Sequence, residues 1–162
     1  MKAPSPTGVA AGGALLVAAL SLATPQIMRW EGKRNTPYRD MVGVLTVCHG
    51  ETQAVMRRYS DAECAAMLHR RAEADYARPI LACVPGLGAR PRPFAAAISL
   101  AYNIGTAAFC RSTTARRFRA GDWAGGCEAM LAWNRAGGRA VTGLARRRAA
   151  ERALCLSAEP AG

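Results

Sequence analysis

Glu31, Asp40 and Thr46 are the residues whose types and spacing could act together chemically. Asp40 follows Glu31 by nine positions, and Thr46 follows Asp40 by six. Glu31 comes just after the apolar Met28 and Trp30, whereas Asp40 lies in a polar, glycine-bearing stretch with a hydroxyl nearby. Two carboxyl groups in unlike settings are what cleavage of a glycosidic bond requires. One is kept protonated to donate to the leaving oxygen, and the other stays ionised. Most Asp and Glu side chains are merely solvated, so the pair gains its weight only from the residues around it.

Those residues form an ordered set: Glu31, Gly32, Tyr38, Asp40, Gly43, Thr46 and Gly50, continued by Tyr102-Asn103, Gly105, Gly121-Asp122, Trp133, Gly137-Gly138, Gly143-Leu144 and Arg147-Arg148. Over about residues 28–156 the chain resembles the phage-type lysozymes of glycoside hydrolase family 24, endolysins that degrade murein. The resemblance implies a lysozyme-like fold, in which a small β-hairpin lobe is joined by a long helix to a helical lobe. It also implies a murein hydrolase that cuts between N-acetylmuramic acid and N-acetylglucosamine with inversion at the anomeric carbon. Glu31 is then the general acid, kept protonated by desolvation against Met28 or Trp30. Asp40 stays ionised and, with Thr46, positions the attacking water. No cofactor or metal is called for, and a monomer acting on peptidoglycan is expected. A lytic transglycosylase, which needs no activated water, is the enzymatic alternative. A non-catalytic basic binder of envelope or nucleic acid on the same scaffold is the other. Glu51 departs from the pattern, since the family often has His there, paired with an Asp. Different local ion pairing is expected around it. Tyr102 and Asn103, near the family's cleft, read as packed residues or substrate contacts, His49 as a packed or exposed histidine, and Arg147 and Arg148 as a solvated face ahead of a helix–hairpin contact or a contact to murein peptide.

Composition bounds the rest. The 162 residues carry 22 Lys and Arg against 11 Asp and Glu, a net +11 that draws the protein to polyanions such as murein or an anionic membrane face. The basic residues are scattered, and no finger or Gly-rich phosphate loop accompanies them, so nucleic acid is not expected as a partner. Six cysteines occur without a C-x2-C pair, and only His49 and His69 could assist them, which excludes an ordinary zinc site. Their even count suits disulfides in an oxidising compartment. Neighbouring order favours Cys48–Cys64, Cys83–Cys110 and Cys127–Cys155 among the connectivities that spacing leaves open.

The elements that must position the candidates are mostly helical, giving an α+β class. Alternation around Gly43, from Tyr38 to Val47, predicts a hairpin that carries Asp40 and Thr46. Ser60 and Glu63 form a capping box for a helix expected to run to about Ala77 and stop before Pro79. Pro91 and Pro93 open a helix whose apolar face is Phe94, Ala97, Ile98, Ala101 and Tyr102, and Gly105 ends it. Asp122 caps the next helix, Gly137-Gly138 turns the chain, and a last helix covers about Thr142 to Leu154.

Residues 3–28 hold no charge, and half of residues 7–24 are Ala or Gly. Such a stretch is just long enough to span a bilayer and only marginally apolar. It is similar to the signal-anchor-release segments of phage lysozymes: a weak transmembrane helix, uncleaved, which holds the domain at the inner membrane with Lys2 inside and then releases it to the periplasm. A cleaved secretory signal or a permanent anchor are the alternatives. The expected division is 1–28 as this segment and 29–162 as the lysozyme domain.

Overall fold

Residues 6–28 are charge-free and alanine-rich, and Pro6–Glu31 form one helix, α1, with a proline at its first position and a second, Pro25, inside it. The computed structural model describes residues 6–158, with side chains from Gly12 onward; Lys2, the expected inward charge, lies outside the described residues. Ala19, Leu20, Ala23 and Ile27, which recur at helical spacing, are fully buried. The boundary expected at 28/29 falls inside α1. Among the described residues no helix is long and apolar enough to cross a membrane.

After α1 the chain makes a hairpin from β1 (Arg34–Arg39) and β2 (Leu45–Cys48). Tyr38 pairs with Thr46, and Arg34 with Cys48. The register breaks between Arg34 and Tyr38, the stretch holding Pro37, which has no N–H to give to the ladder. Val47, Cys48, Tyr59 and Cys64 form a small second core beneath the hairpin, closed by the Cys48–Cys64 disulfide.

The capping box holds. Ser60 accepts from the Glu63 N–H, and Glu63 accepts from the Ser60 N–H at 2.7 Å. It starts α2 (Asp61–Arg71), which continues as a π-helix over Ala72–Ala77 and then as α3 (Arg78–Cys83). The expected stop before Pro79 is therefore wrong. Pro79 cannot donate to the carbonyl of Asp75, and the hydroxyl of Thr106 does so instead at 3.0 Å. The wide turn carries the helix past the proline.

A 3-10 turn, Pro85–Ala89, leads to α4 (Pro91–Ile104), which is buried continuously from Pro93 to Ala101 and is the axis of the main core. Around it lie α5 (Thr106–Arg111), α6 (Thr113–Arg119), α7 (Trp123–Ala129, capped by Asp122), a 3-10 turn at Met130–Ala132 and α8 (Thr142–Leu156). Gly137 and Gly138, both at positive φ, turn a two-residue ribbon of β3 (Arg135–Ala136) and β4 (Arg139–Ala140). Gly105 at φ 90° ends α4, as expected. α1 and α8 pack chiefly on α4. Cys83–Cys110 joins α3 to α5, and Cys127–Cys155 joins α7 to α8, so all three expected pairings are formed.

The Arg57 guanidinium and the Ser60 N–H together hold the Glu63 carboxyl at about 2, well below its ordinary 4.5. A carboxyl lowered on folding adds stability above its unfolded value, and that stability is lost as pH falls toward the folded one. Denaturant melts should therefore find Glu63→Gln less stable than the parent near neutrality, with the gap closing between about pH 4.5 and pH 2. A gap that does not change with pH would remove the ionised capping box as its cause.

Candidate active site

Glu31 is the last residue of α1. Its Oε1 lies 2.5 Å from Nη1 of Arg147, which belongs to α8 and is only 5% exposed, while the Glu31 side chain is 28% exposed. The apolar setting expected from Met28 and Trp30 is thus corrected. Met28 packs against the main core, Trp30 lies under the Arg29 guanidinium, and the group that meets the carboxyl is a cation brought from 116 residues away. Local sequence could not reveal that partner. The pairing occupies Oε1 and leaves Oε2 outside it.

Arg147 is itself held on its other edges. Its Nε donates to Glu151 at 3.2 Å and its Nη2 to the carbonyl of Ser99 at 3.2 Å. Glu151 is fully buried, with the Ser99 hydroxyl donating to it at 2.7 Å and Arg148 Nε lying 2.7 Å from its other oxygen. Arg148 also donates to Oδ1 of Asn103 at 3.0 Å. Arg147 and Arg148, expected on a solvated face, are 4% and 0% exposed. Burial raises the Glu151 carboxyl above its ordinary value, and the two guanidiniums and the hydroxyl oppose that rise. The role of Glu151 was missed. Its signal was the spacing, since Glu151 stands three and four residues after Arg148 and Arg147, on one face of a helix.

Asp40 follows β1 at the hairpin tip. Its Oδ1 accepts from the N–H groups of Val42 at 3.0 Å and Val44 at 2.8 Å, and its own N–H donates to the Val44 carbonyl. Gly43, at φ 84°, allows that tight turn. Oδ1 therefore fixes the carboxyl's direction while Oδ2 is not spent on the turn. Thr46, in β2, is 3% exposed and donates to the Val44 carbonyl at 2.9 Å. The two residues thus share one short hairpin, and each is tied to Val44.

His49 closes the gap between the hairpin and α1. It is 2% exposed, and its Nδ1 lies 2.6 Å from the carbonyl of Gly32, the residue after Glu31, so Nδ1 carries the proton. Its own carbonyl accepts from the Tyr102 hydroxyl, which in turn accepts from Arg71 Nη1 at 3.3 Å. Burial raises that hydroxyl above its ordinary value, keeping it a donor. Arg71 also stands 3.6 Å from Glu51, which supplies the altered ion pairing expected there. Among the described residues no group of three or more His, Cys, Asp or Glu side chains could hold a metal ion.

A family model described as phage lysozyme matches residues 28–151. The SAR-endolysin of Enterobacteria phage P21 is 38% identical over 149 residues, covering 90% of this chain and 89% of that protein. Among solved structures, the active form of P1 phage endolysin Lyz has a TM-score of 0.71 at 27% identity, covering 86% of this chain and 83% of that one. The muramidase domain of SpmX from Asticaccaulis excentricus has 0.64 at 26% identity, covering 84% and 95%.

Removing one partner from a buried ionic cluster leaves the others without a counter-charge, at about 3–5 kcal/mol. Glu151→Gln should lower unfolding free energy by about that amount, whereas Glu31→Gln, at the half-exposed edge of the cluster, should cost well under half as much. Equal losses in urea melts would contradict the ranking.

Proposed function

Because this chain belongs to the phage lysozyme family, we infer that it is an endolysin, a glycoside hydrolase that cleaves murein between N-acetylmuramic acid and N-acetylglucosamine. The observation that supports the assignment of residues is the seat of Glu31 at the end of α1, where Arg147 Nη1 holds one of its carboxyl oxygens. In this reading Glu31 protonates the glycosidic oxygen from Oε2 as the bond breaks. Asp40, oriented through Oδ1 by the two turn N–H groups, acts as the anion that stabilises the developing oxocarbenium ion. Thr46 and Asp40 together orient the water that attacks the opposite face. The protein needs no cofactor for these steps.

Loss of a general acid costs about 10²–10⁴-fold. Glu31→Gln should lose at least that in turbidity clearing of murein while keeping a native far-ultraviolet spectrum. Asp40→Asn should also be severe, and Thr46→Ser mild because the hydroxyl survives. Clearing by Glu31→Gln at the parental rate would sink the assignment and leave a non-catalytic binder.

The SAR-endolysin name of the relatives supports a second element of the reading, export with residues 1–28 first in the inner membrane and later in the domain. Residues 12–28 of α1 carry no charge and suit both states, and Ala19, Leu20, Ala23 and Ile27 are the side chains that must leave lipid for the core. While they are in lipid, α1 cannot present Glu31 to Arg147, so the tethered form is inactive. At roughly 2.3 kcal/mol per charge per 100 mV, one to two inward charges at about 150 mV contribute on the order of 3–7 kcal/mol to retention. Collapse of the potential removes that term. A Cβ at Gly12 or Gly13 meets nothing within 4 Å, so the packed domain accepts larger side chains there. Gly12→Leu with Gly13→Leu should therefore strengthen anchoring and block lysis without harming the purified enzyme. Lysis on the parental schedule, with soluble protein that begins after Ala23, would favour a cleaved signal instead.

A further inference from the structure

His49 is buried between the hairpin and the end of α1, and only one of its ring nitrogens is used. Nδ1 donates to the Gly32 carbonyl at 2.6 Å, while Nε2 is buried with no hydrogen-bond partner. A buried nitrogen without a partner lowers stability, so an apolar side chain of similar size would fill this place better. Packing does not explain the imidazole. Its contact with Gly32 does.

The backbone is turned to make that contact. Thr46, Val47, Cys48 and His49 are buried in succession, although neighbours along a regular strand face opposite ways. Cys48 supplies the turn. Among the described residues it alone, apart from glycines, has a positive φ, 58°. A side chain in that left-handed region is strained, and such strain persists only where the surroundings enforce it. Here the bridge to Cys64 holds Cys48, and the Tyr102 hydroxyl donates to the His49 carbonyl at 3.1 Å.

The contact falls on the end of α1 that carries the acid. Gly32 follows Glu31 and has a φ of 69°, so the helix stops there, where terminal carbonyls lack partners within the helix. His49 takes the Gly32 carbonyl from the hairpin side, while Arg147 of α8 holds the Glu31 side chain. The acid is gripped at its backbone from one lobe and at its carboxyl from the other. His49 also stands only three residues beyond Thr46. The same bond therefore sets how far Glu31 lies from Asp40 and Thr46.

We propose that His49 is a positioning residue for the general acid: aimed by the left-handed Cys48, it fixes the separation between Glu31 and the pair that orients water. The proposal rests on the muramidase reading and adds to it a residue that acts through Glu31. It separates activity from stability. Gly32 is exposed, so water can take its carbonyl once the imidazole is gone, and the orphaned Nε2 goes with it.

The test is steady-state kinetics on soluble glycan chains, with urea melts of the same proteins, each carrying the full chain. His49→Leu should lower kcat about ten- to a hundredfold and leave KM within about twofold of the parental value, because the acid is misplaced while sugar binding is intact. Its urea midpoint should equal or exceed the parental one. His49→Asn, whose side-chain amide places an N–H where the imidazole had one, should recover most of the lost kcat. Parental kcat in His49→Leu, a lowered urea midpoint in that variant, or no recovery in His49→Asn would each overturn the proposal and leave the muramidase reading intact. Failure of wild type to cut the glycan would overturn that reading itself.

Discussion

One guanidinium between two carboxylates fixes the geometry on which the site depends. Arg147 meets Glu31 at the end of α1, Glu151 one turn along α8 and the Ser99 carbonyl of α4. Three helices, α1, α4 and α8, meet at that guanidinium, which locks them in rotation and depth. Buried ions are a doubtful source of net stability, because desolvation consumes most of what pairing returns. What such a cluster supplies is a single arrangement: an unpaired charge in that position costs several kcal/mol, so α1 has one seat that satisfies Arg147, and that seat aims Glu31. Burial holds α1 through Ala19, Leu20, Ala23 and Ile27, and the ion pair adds a directional contact at its end.

The hairpin lobe solves a different problem. Its core is only Val47, Cys48, Tyr59 and Cys64 with a few partly buried neighbours, too small to stand alone. The Cys48–Cys64 bridge ties β2 to α2, Asn35 links β1 to Tyr59 and Asp61, and His49 ties the lobe back to Gly32. With its base held so firmly, the tip can remain exposed. Asp40 and Thr46 then depend on the turn itself, through Val42 and Val44, for their orientation.

What the sequence made legible was local. Glu31, Asp40 and Thr46 sit within sixteen residues, and their hairpin follows from alternation around Gly43. The capping box at Ser60, the end of α4 at Gly105 and the Asp122 cap are each written in a few adjacent residues. The disulfides followed neighbouring order. What stayed hidden depends on distant partners. Arg147 and Arg148 look like surface charges until Glu151 and Ser99 are folded against them. Pro79 reads as a stop until Thr106 supplies the donor it lacks, and α5 and α6 are short pieces shaped by packing rather than by a long apolar period.

The central claim is that the site activates water rather than letting the substrate's own hydroxyl close a ring. Digestion of murein in oxygen-18 water, followed by mass spectrometry of the released muropeptides, measures this directly. The account predicts one labelled oxygen at the reducing carbon of each new N-acetylmuramic acid end. Unlabelled anhydro ends would contradict it and assign the chain to transglycosylation, with no water for Asp40 and Thr46 to orient.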